Sequence, residues 1–139
     1  MAIASDHAGF ALKAVLKVEL ERLGCEADDL GTDDTESVDY PDFANKVAEA
    51  IERGAAALGV LVCGTGIGMS IAANRHAGVR AAVCHDASSA RLTRQHNDAN
   101  VLCLGARLIG EEVAKDVLRA FLATAYEGGR HARRVAKLA

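Results

Sequence analysis

The sequence predicts an α/β fold: a three-layer α/β/α, Rossmann-like arrangement around a five-stranded parallel sheet, with a C-terminal helical tail. Three observations predict it. Short apolar runs alternate with helical patterns along the chain, as repeated strand–helix units do. The run Leu58-Gly-Val-Leu-Val62 is apolar without alternation, which suits a strand covered on both faces. A glycine loop, Cys63-Gly-Thr-Gly-Ile-Gly68, follows where that strand would hand over to a helix.

Each element can be justified in order. Ala2–Ser5 reads as a brief strand and Asp6 to Gly9 as a turn. Leu12, Val15, Leu16, Leu20 and Leu23 then recur at helical spacing, with Lys13, Lys17, Glu21 and Arg22 assigned to the opposite face. Gly24 stops this helix in the C′ position. Cys25 to Leu30 reads as a poorer strand, near an edge because of its acidic residues, and Gly31 to Asp39 as polar loop. Pro41 suits the first turn of the next helix and pushes Tyr40 towards an extended backbone. Phe43, Ala44, Val47, Ala48 and Ile51 form that helix's apolar stripe. After the glycine loop come a helix over Met69–Asn74, a strand over Val79–Val83, a more polar helix over 86–96 and a strand over Asn100–Leu104. Val113, Ala114, Val117, Leu118, Phe121 and Leu122 stripe a final long helix, which Glu111 and Glu112 open where acidic charge is favoured. The tail from Tyr126 is basic and reads as helical again.

Composition narrows the function classes. A chain of 139 residues, 50% hydrophobic and 25% charged, fits one globular domain spanning 1–139. A net charge of −3 and 4% aromatic residues argue against nucleic-acid binding, which uses basic patches and stacking rings. No apolar run reaches the roughly 18 residues of a membrane span, and Met1–Ser5 lacks the basic start of a signal peptide. No two of Cys25, Cys63, Cys84 and Cys103 form a CxxC pair, which argues against zinc ribbons and thioredoxin-like motifs; in a mid-sized domain with no export signal, reduced thiols in the cytoplasm are expected.

In a parallel sheet, ligands bind beyond the carboxyl ends of the strands. That singles out Asp6 and His7 after the first strand and Cys63 to Gly68 after the third. Glycines at 64, 66 and 68 let backbone N–H groups approach an anion closely. The loop matches no nucleotide fingerprint: it is G-x-G-x-G, without the Lys-Ser/Thr of a P-loop or an acidic residue about 20 positions on. Read alone it could equally be a tight strand-to-helix turn. A cysteine at such a helix start favours the thiolate, a nucleophile or a general base, whereas the other three cysteines read as buried structural ones. Asp6-His7 and His96-Asn97-Asp98 could be acid–base groups or plain helix caps. No His, Asp or Glu cluster has metal-ligand spacing, so no metal is expected. Arg130 and Arg134, four apart on one helical face, could hold a phosphate together with Arg107, or form a solvated basic tail.

Taken together, these pieces resemble the type B ribose-5-phosphate isomerases, within the wider family of ribose, allose and galactose phosphate isomerases. The matching segments are Ser5-Asp-His-Ala-Gly9, Asp39-Tyr-Pro41, Cys63-Gly-Thr-Gly-Ile-Gly68, Ser70-Ile-Ala-Ala-Asn74, Arg94-Gln-His-Asn-Asp98 and Tyr126-Glu-Gly-Gly-Arg130, in order over almost the whole chain. The resemblance implies a cofactor-free aldose–ketose interconversion with Cys63 as the base that moves a proton between neighbouring carbons. Backbone N–H groups from Gly64 through Gly66 and Ile67 to Gly68 would hold the enediolate. It further implies His96 as the ring-opening acid, Asp6 and Thr65 as hydrogen-bonding assistants, Tyr40 and Asn97 as sugar contacts, and His7, Arg107, Arg130 and Arg134 as the phosphate site. It implies a homodimer whose active sites are shared between subunits; whether dimers pair into tetramers stays open. Other readings are an allose-6-phosphate or other six-carbon sugar phosphate substrate, a non-catalytic sugar-phosphate sensor, and a flavodoxin-like nucleotide module, the last disfavoured by the missing fingerprints.

Overall fold

A computed structural model describes residues 1–138. Its elements are β1 (Ala2–Ser5), α1 (Phe10–Arg22), β2 (Asp28–Asp29), α2 (Tyr40–Glu52), β3 (Gly59–Cys63), α3 (Ile67–Ala73), β4 (Ala81–Val83), α4 (Ala87–Asn97), β5 (Val101–Gly105) and α5 (Glu111–Ala123). A single 3₁₀ turn, Gly129–His131, and the short α6 (Ala132–Val135) follow. The sheet is parallel throughout, in the order β2-β1-β3-β5-β4. The expected five-stranded α/β architecture is therefore present.

β3 and β5 are buried along their whole length, and their alternate side chains divide between two cores. Val60, Val62, Leu102 and Leu104 face α1 and α5, meeting Leu16, Leu20, Val117, Leu118 and Phe121. Leu61, Cys63, Val101 and Cys103 face α2 and α3, meeting Val47, Ala48, Met69 and Ala73. Each fully buried aliphatic side chain contributes about 1.5–3 kcal/mol, so this double-sided burial makes the centre of the sheet a stable platform. The register pairs Ser5 with Val62 and Cys63 with Gly105. It brings the carboxyl ends of β1, β3 and β5 level at one edge of the sheet. Strand order reverses between β1 and β3, so the crevice that binds ligands in such folds opens there.

The structure corrects several boundaries. β2 shrinks from the expected Cys25–Leu30 to two exposed residues, because an edge strand with a single partner keeps only the pairs its neighbour enforces. β4 starts at Ala81 instead of Val79. There the Arg80 N–H donates to Asn100 Oδ1 and the Ala81 N–H to Asn74 Oδ1, so side chains replace the ladder. Pro41 does lie in the first turn of α2, but the extended residue is Asp39 (φ −88°, ψ 119°) and Tyr40 already belongs to the helix. The tail is helical only over Gly129–Val135. Lys13, assigned to the solvent face, is only 2% exposed. Its ammonium donates to Asp29 Oδ1 and to the Thr32 carbonyl, each at 2.6 Å. Residues 13, 16 and 20 share one helical stripe, so this burial follows α1's own geometry.

Candidate active site

The carboxyl edge gathers ten of the expected site residues. Asp6 is buried after β1 and accepts the Gly9 N–H at 3.1 Å on Oδ1, which closes the turn into α1. His7 Nδ1 accepts the Val38 N–H at 3.2 Å. Its ring therefore carries the proton on Nε2, where it can serve as a donor. Cys63 is the last residue of β3 and 5% exposed; its Sγ accepts the Gly66 N–H at 3.1 Å. A turn that folds back on its own sulfur needs Gly66 at φ +78°, where a Cβ would also stand 2.9 Å from the Leu104 backbone. A Cβ on Gly68 would meet the Tyr40 ring at 2.7 Å, so Tyr40 lies directly over the loop. Thr65 Oγ1 accepts the Ile67 N–H at 3.2 Å. Arg107 follows β5; its N–H donates to the Gly64 carbonyl at 3.0 Å and its guanidinium lies beside Gly64.

Of the five loop N–H groups expected to face an enediolate, those of Gly66 and Ile67 are thus engaged within the loop. Those of Gly64, Thr65 and Gly68 meet no protein acceptor among the described residues. Of the remaining cysteines, Cys84 and Cys103 are buried as the sequence suggests, whereas Cys25, beside the exposed β2, is only partly buried. Burial pushes the Cys103 thiol well above its ordinary pKa, and burial likewise raises Cys84. Both stay protonated and inert.

The other four expected residues lie elsewhere. α4 leaves the carboxyl end of β4 and returns antiparallel to the strands. Its eleven residues span about 16 Å, which carries His96 and Asn97 to the amino edge of the sheet. There they line a cavity of about 440 Å³ with Arg130, His131, Arg134, Val135 and Leu138. Arg130 sits on the 3₁₀ turn and Arg134 on α6, yet both face this cavity as one helical face was expected to do. Within one chain Arg107 stands apart from them, at the opposite edge, where its N–H bonds to the Gly64 carbonyl.

The amino-edge group is fixed by its surroundings. Asp98 ends α4 in a left-handed conformation (φ 47°) and takes Arg80 at 2.9 Å. Arg94 donates to the carbonyls of Ala99 and Thr124, and the Glu127 N–H donates to the Gln95 carbonyl. His131, which sequence reasoning passed over, lies flat on His96, with ring centroids 4.4 Å apart and planes at 17°. The spacing of Glu127 and His131, four apart, was the available signal. With His96 they bring three potential metal donors within 4.8 Å of one another, against the expectation that no such cluster exists. The two rings are nearly parallel, however, so their in-plane lone pairs run side by side instead of converging on one point, as coordination requires.

Comparison with known proteins places this geometry in a lineage. The family described as Ribose/Galactose Isomerase matches residues 1–138. The chain belongs to this family. Ribose-5-phosphate isomerase B of Escherichia coli is 50% identical over 135 residues, covering 97% of this chain and 91% of that protein. The structure of Clostridium thermocellum ribose-5-phosphate isomerase B superposes with a TM-score of 0.97 at 50% identity, covering 99% of this chain and 93% of the other. D-erythrulose-4-phosphate isomerase of Pectobacterium atrosepticum is 45% identical, over 99% of this chain and 91% of its own length. The protein is thus an isomerase of the ribose/galactose family on the family's α/β fold.

Proposed function

We propose that this isomerase interconverts ribose-5-phosphate and ribulose-5-phosphate through an enediolate, without a cofactor, in sites shared by two subunits. The observation that carries this reading is the separation of the chemistry between two edges of one sheet. A carbon base, a glycine loop and Arg107 occupy the carboxyl edge; the ring-opening acid and two arginines occupy the amino edge. Neither half suffices alone, and a two-fold dimer can bring one against the other twice. Three large apolar side chains on the carboxyl side remain more than half in water, Ile67 (51%), Ile71 (56%) and Leu108 (55%). In the proposed dimer the partner subunit would cover them.

In the composite site, His96 of the partner subunit protonates the ring oxygen of the furanose as the C1–O4 bond breaks, the C1 hydroxyl gives its proton to water, and the open-chain aldehyde forms. Cys63 takes the C2 proton, and the electron pair moves into the C1 carbonyl to give an enediolate. The free N–H groups of Gly64, Thr65 and Gly68 face that charge. Returning the proton to C1, while the O2 hydroxyl passes its proton to O1 and C2 becomes the carbonyl, gives the ketose. Asp6 and Thr65 bond the hydroxyls that exchange a proton, and Tyr40 and Asn97 contact the sugar. His7 with Arg107, and Arg130 and Arg134 of the partner subunit, take the phosphate, whose binding energy holds the reacting carbons against the thiol. The presence of both Cys63 and His96 favours catalysis over a sensor role. Four free cysteines suit a cytoplasmic enzyme, and among the described residues no helix is long and apolar enough to cross a membrane. The Pectobacterium relative acts on a shorter sugar by its name, so membership of the family leaves the sugar open; relative kcat/KM for ribose-5-phosphate and allose-6-phosphate discriminates the two substrates.

Subunit complementation tests the shared site. Inactive Cys63→Ala and His96→Asn chains are unfolded and refolded together. Random pairing makes about half the dimers mixed, each with one intact site of two, so activity returns to roughly a quarter of wild type. Verified heterodimers that remain inactive would show that both residues serve one site from one chain.

A further inference from the structure

We propose that His131 is a positioning residue for ring opening: its imidazole, laid flat against that of His96, sets the direction in which His96 delivers its proton. This rests on reading His96 as the ring-opening acid.

Among the described residues, no hydrogen bond holds the His96 ring, which is half-buried at the end of α4. What does hold it is the face of His131, 4.4 Å away and inclined by only 17°. His131 itself is 6% exposed. Its turn is closed by its own N–H donating to the Gly128 carbonyl at 3.0 Å, and the segment before it is tied to α4 through the Gln95 carbonyl. A buried, fixed plate therefore supports a half-buried, otherwise unrestrained ring. Among the described residues, the ring of the plate makes no hydrogen bond of its own. His131 Nε2 is buried without a hydrogen-bond partner, although Glu127 Oε2 stands at 3.5 Å, within ion-pair range. The pairing thus works through the ring face, and an aromatic side chain without nitrogen could replace it.

Orientation matters because a general acid acts only within hydrogen-bond reach of its target, and misplacement by about 1 Å can cost about 100-fold. The stack also joins two parts of the half-site. His96 belongs to the α/β body, whereas His131 directly follows Arg130 in the tail. One contact keeps the acid and the phosphate-binding arm in a fixed relation.

The test separates ring opening from proton transfer at carbon. Ribulose-5-phosphate carries its phosphate on O5 and cannot close a five-membered ring. Exchange of its C1 proton with deuterium oxide, followed by NMR, needs the Cys63 half of the chemistry and no ring-opening acid; a thiol proton exchanges rapidly with solvent. For His131→Ala, turnover of ribose-5-phosphate should fall about 10- to 100-fold while exchange stays within about twofold of wild type. His131→Phe should recover turnover to within about threefold, because the flat support is restored. The proposal is overturned if His131→Ala turns over ribose-5-phosphate like wild type, if its exchange falls in step with turnover, or if Phe is no better than Ala. His96→Asn, measured alongside, should match His131→Ala in kind. If it instead retains wild-type turnover, the ring-opening reading of His96 fails whatever His131 does.

Discussion

The two edges of the sheet are built by different means. At the carboxyl edge the functional groups are set by backbone: Cys63 ends a fully buried strand, and Gly66 turns its own N–H back onto the sulfur. At the amino edge they are set by side chains: His96 leans on His131, and Arg130 and Arg134 project from a tail attached through a few hydrogen bonds. The first edge is firmly supported because β1, β3 and β5 place side chains in both cores. The second owes its shape to local contacts near the surface, where opening costs less free energy. A base that must meet one carbon atom benefits from the first kind of support. In the proposed dimer, a phosphate clamp reaching towards the other subunit can be made of the second.

Substitutions can break this contrast, beginning with the largest effect. Cys63→Ala should lower turnover about 10²- to 10⁴-fold and leave sugar-phosphate affinity by calorimetry nearly unchanged, since the proposed base meets carbon and not phosphate. Substantial residual turnover would remove Cys63 from the role of base. Arg130→Ala and Arg134→Ala should do the reverse, each weakening phosphorylated ligands by about 2–5 kcal/mol in the assembled site. Part of the loss should appear in kcat, because remote binding energy aligns the reacting end. Equal competition by inorganic phosphate against wild type and both variants would exclude these arginines from the clamp.

Smaller effects sharpen the comparison. Gly66→Ala places a side chain in the left-handed region and against the Leu104 backbone. It should cost about 1–3 kcal/mol of stability and more activity than that loss explains, whereas Gly24→Ala, also at positive φ but in open space, should leave activity intact. Denaturant midpoints and turnover of the two variants decide this. The smallest effect is a pH dependence. Burial raises the Asp29 carboxyl, but the Lys13, Lys17 and Gly31 hydrogen bonds outweigh it and the net pKa is lowered. A lowered folded-state pKa contributes stability that is present above the ordinary aspartate value of 3.8. That stability is lost as pH falls through the still lower folded value. Urea unfolding of wild type should therefore lose stability across this acidic range, and Asp29→Asn should lose less; parallel slopes for the two would rule Asp29 out as the group responsible.

Much of the site was legible in the order of residues because its carboxyl edge is local. Cys63 to Gly68 is a single segment whose glycines can be read as conformational requirements, and Asp6 lies where the first strand must end. The alternation of buried runs and helical stripes likewise determined the α/β class, since a strand covered on both faces has few other forms. Short β2 and β4 were overestimated because edge pairing depends on a neighbour's length, which no local pattern records. Lys13 was assigned to water by residue type, and only the fold supplied the Asp29 carboxylate and Thr32 carbonyl that make its burial tolerable. The tertiary structure alone decided that Arg107 stands apart from Arg130 and Arg134, that His96 returns to the opposite edge from Cys63, and that His131 lies on His96. Those relations join residues distant in sequence, and they follow from the antiparallel return of α4 and the docking of the tail, which packing of the whole chain determines.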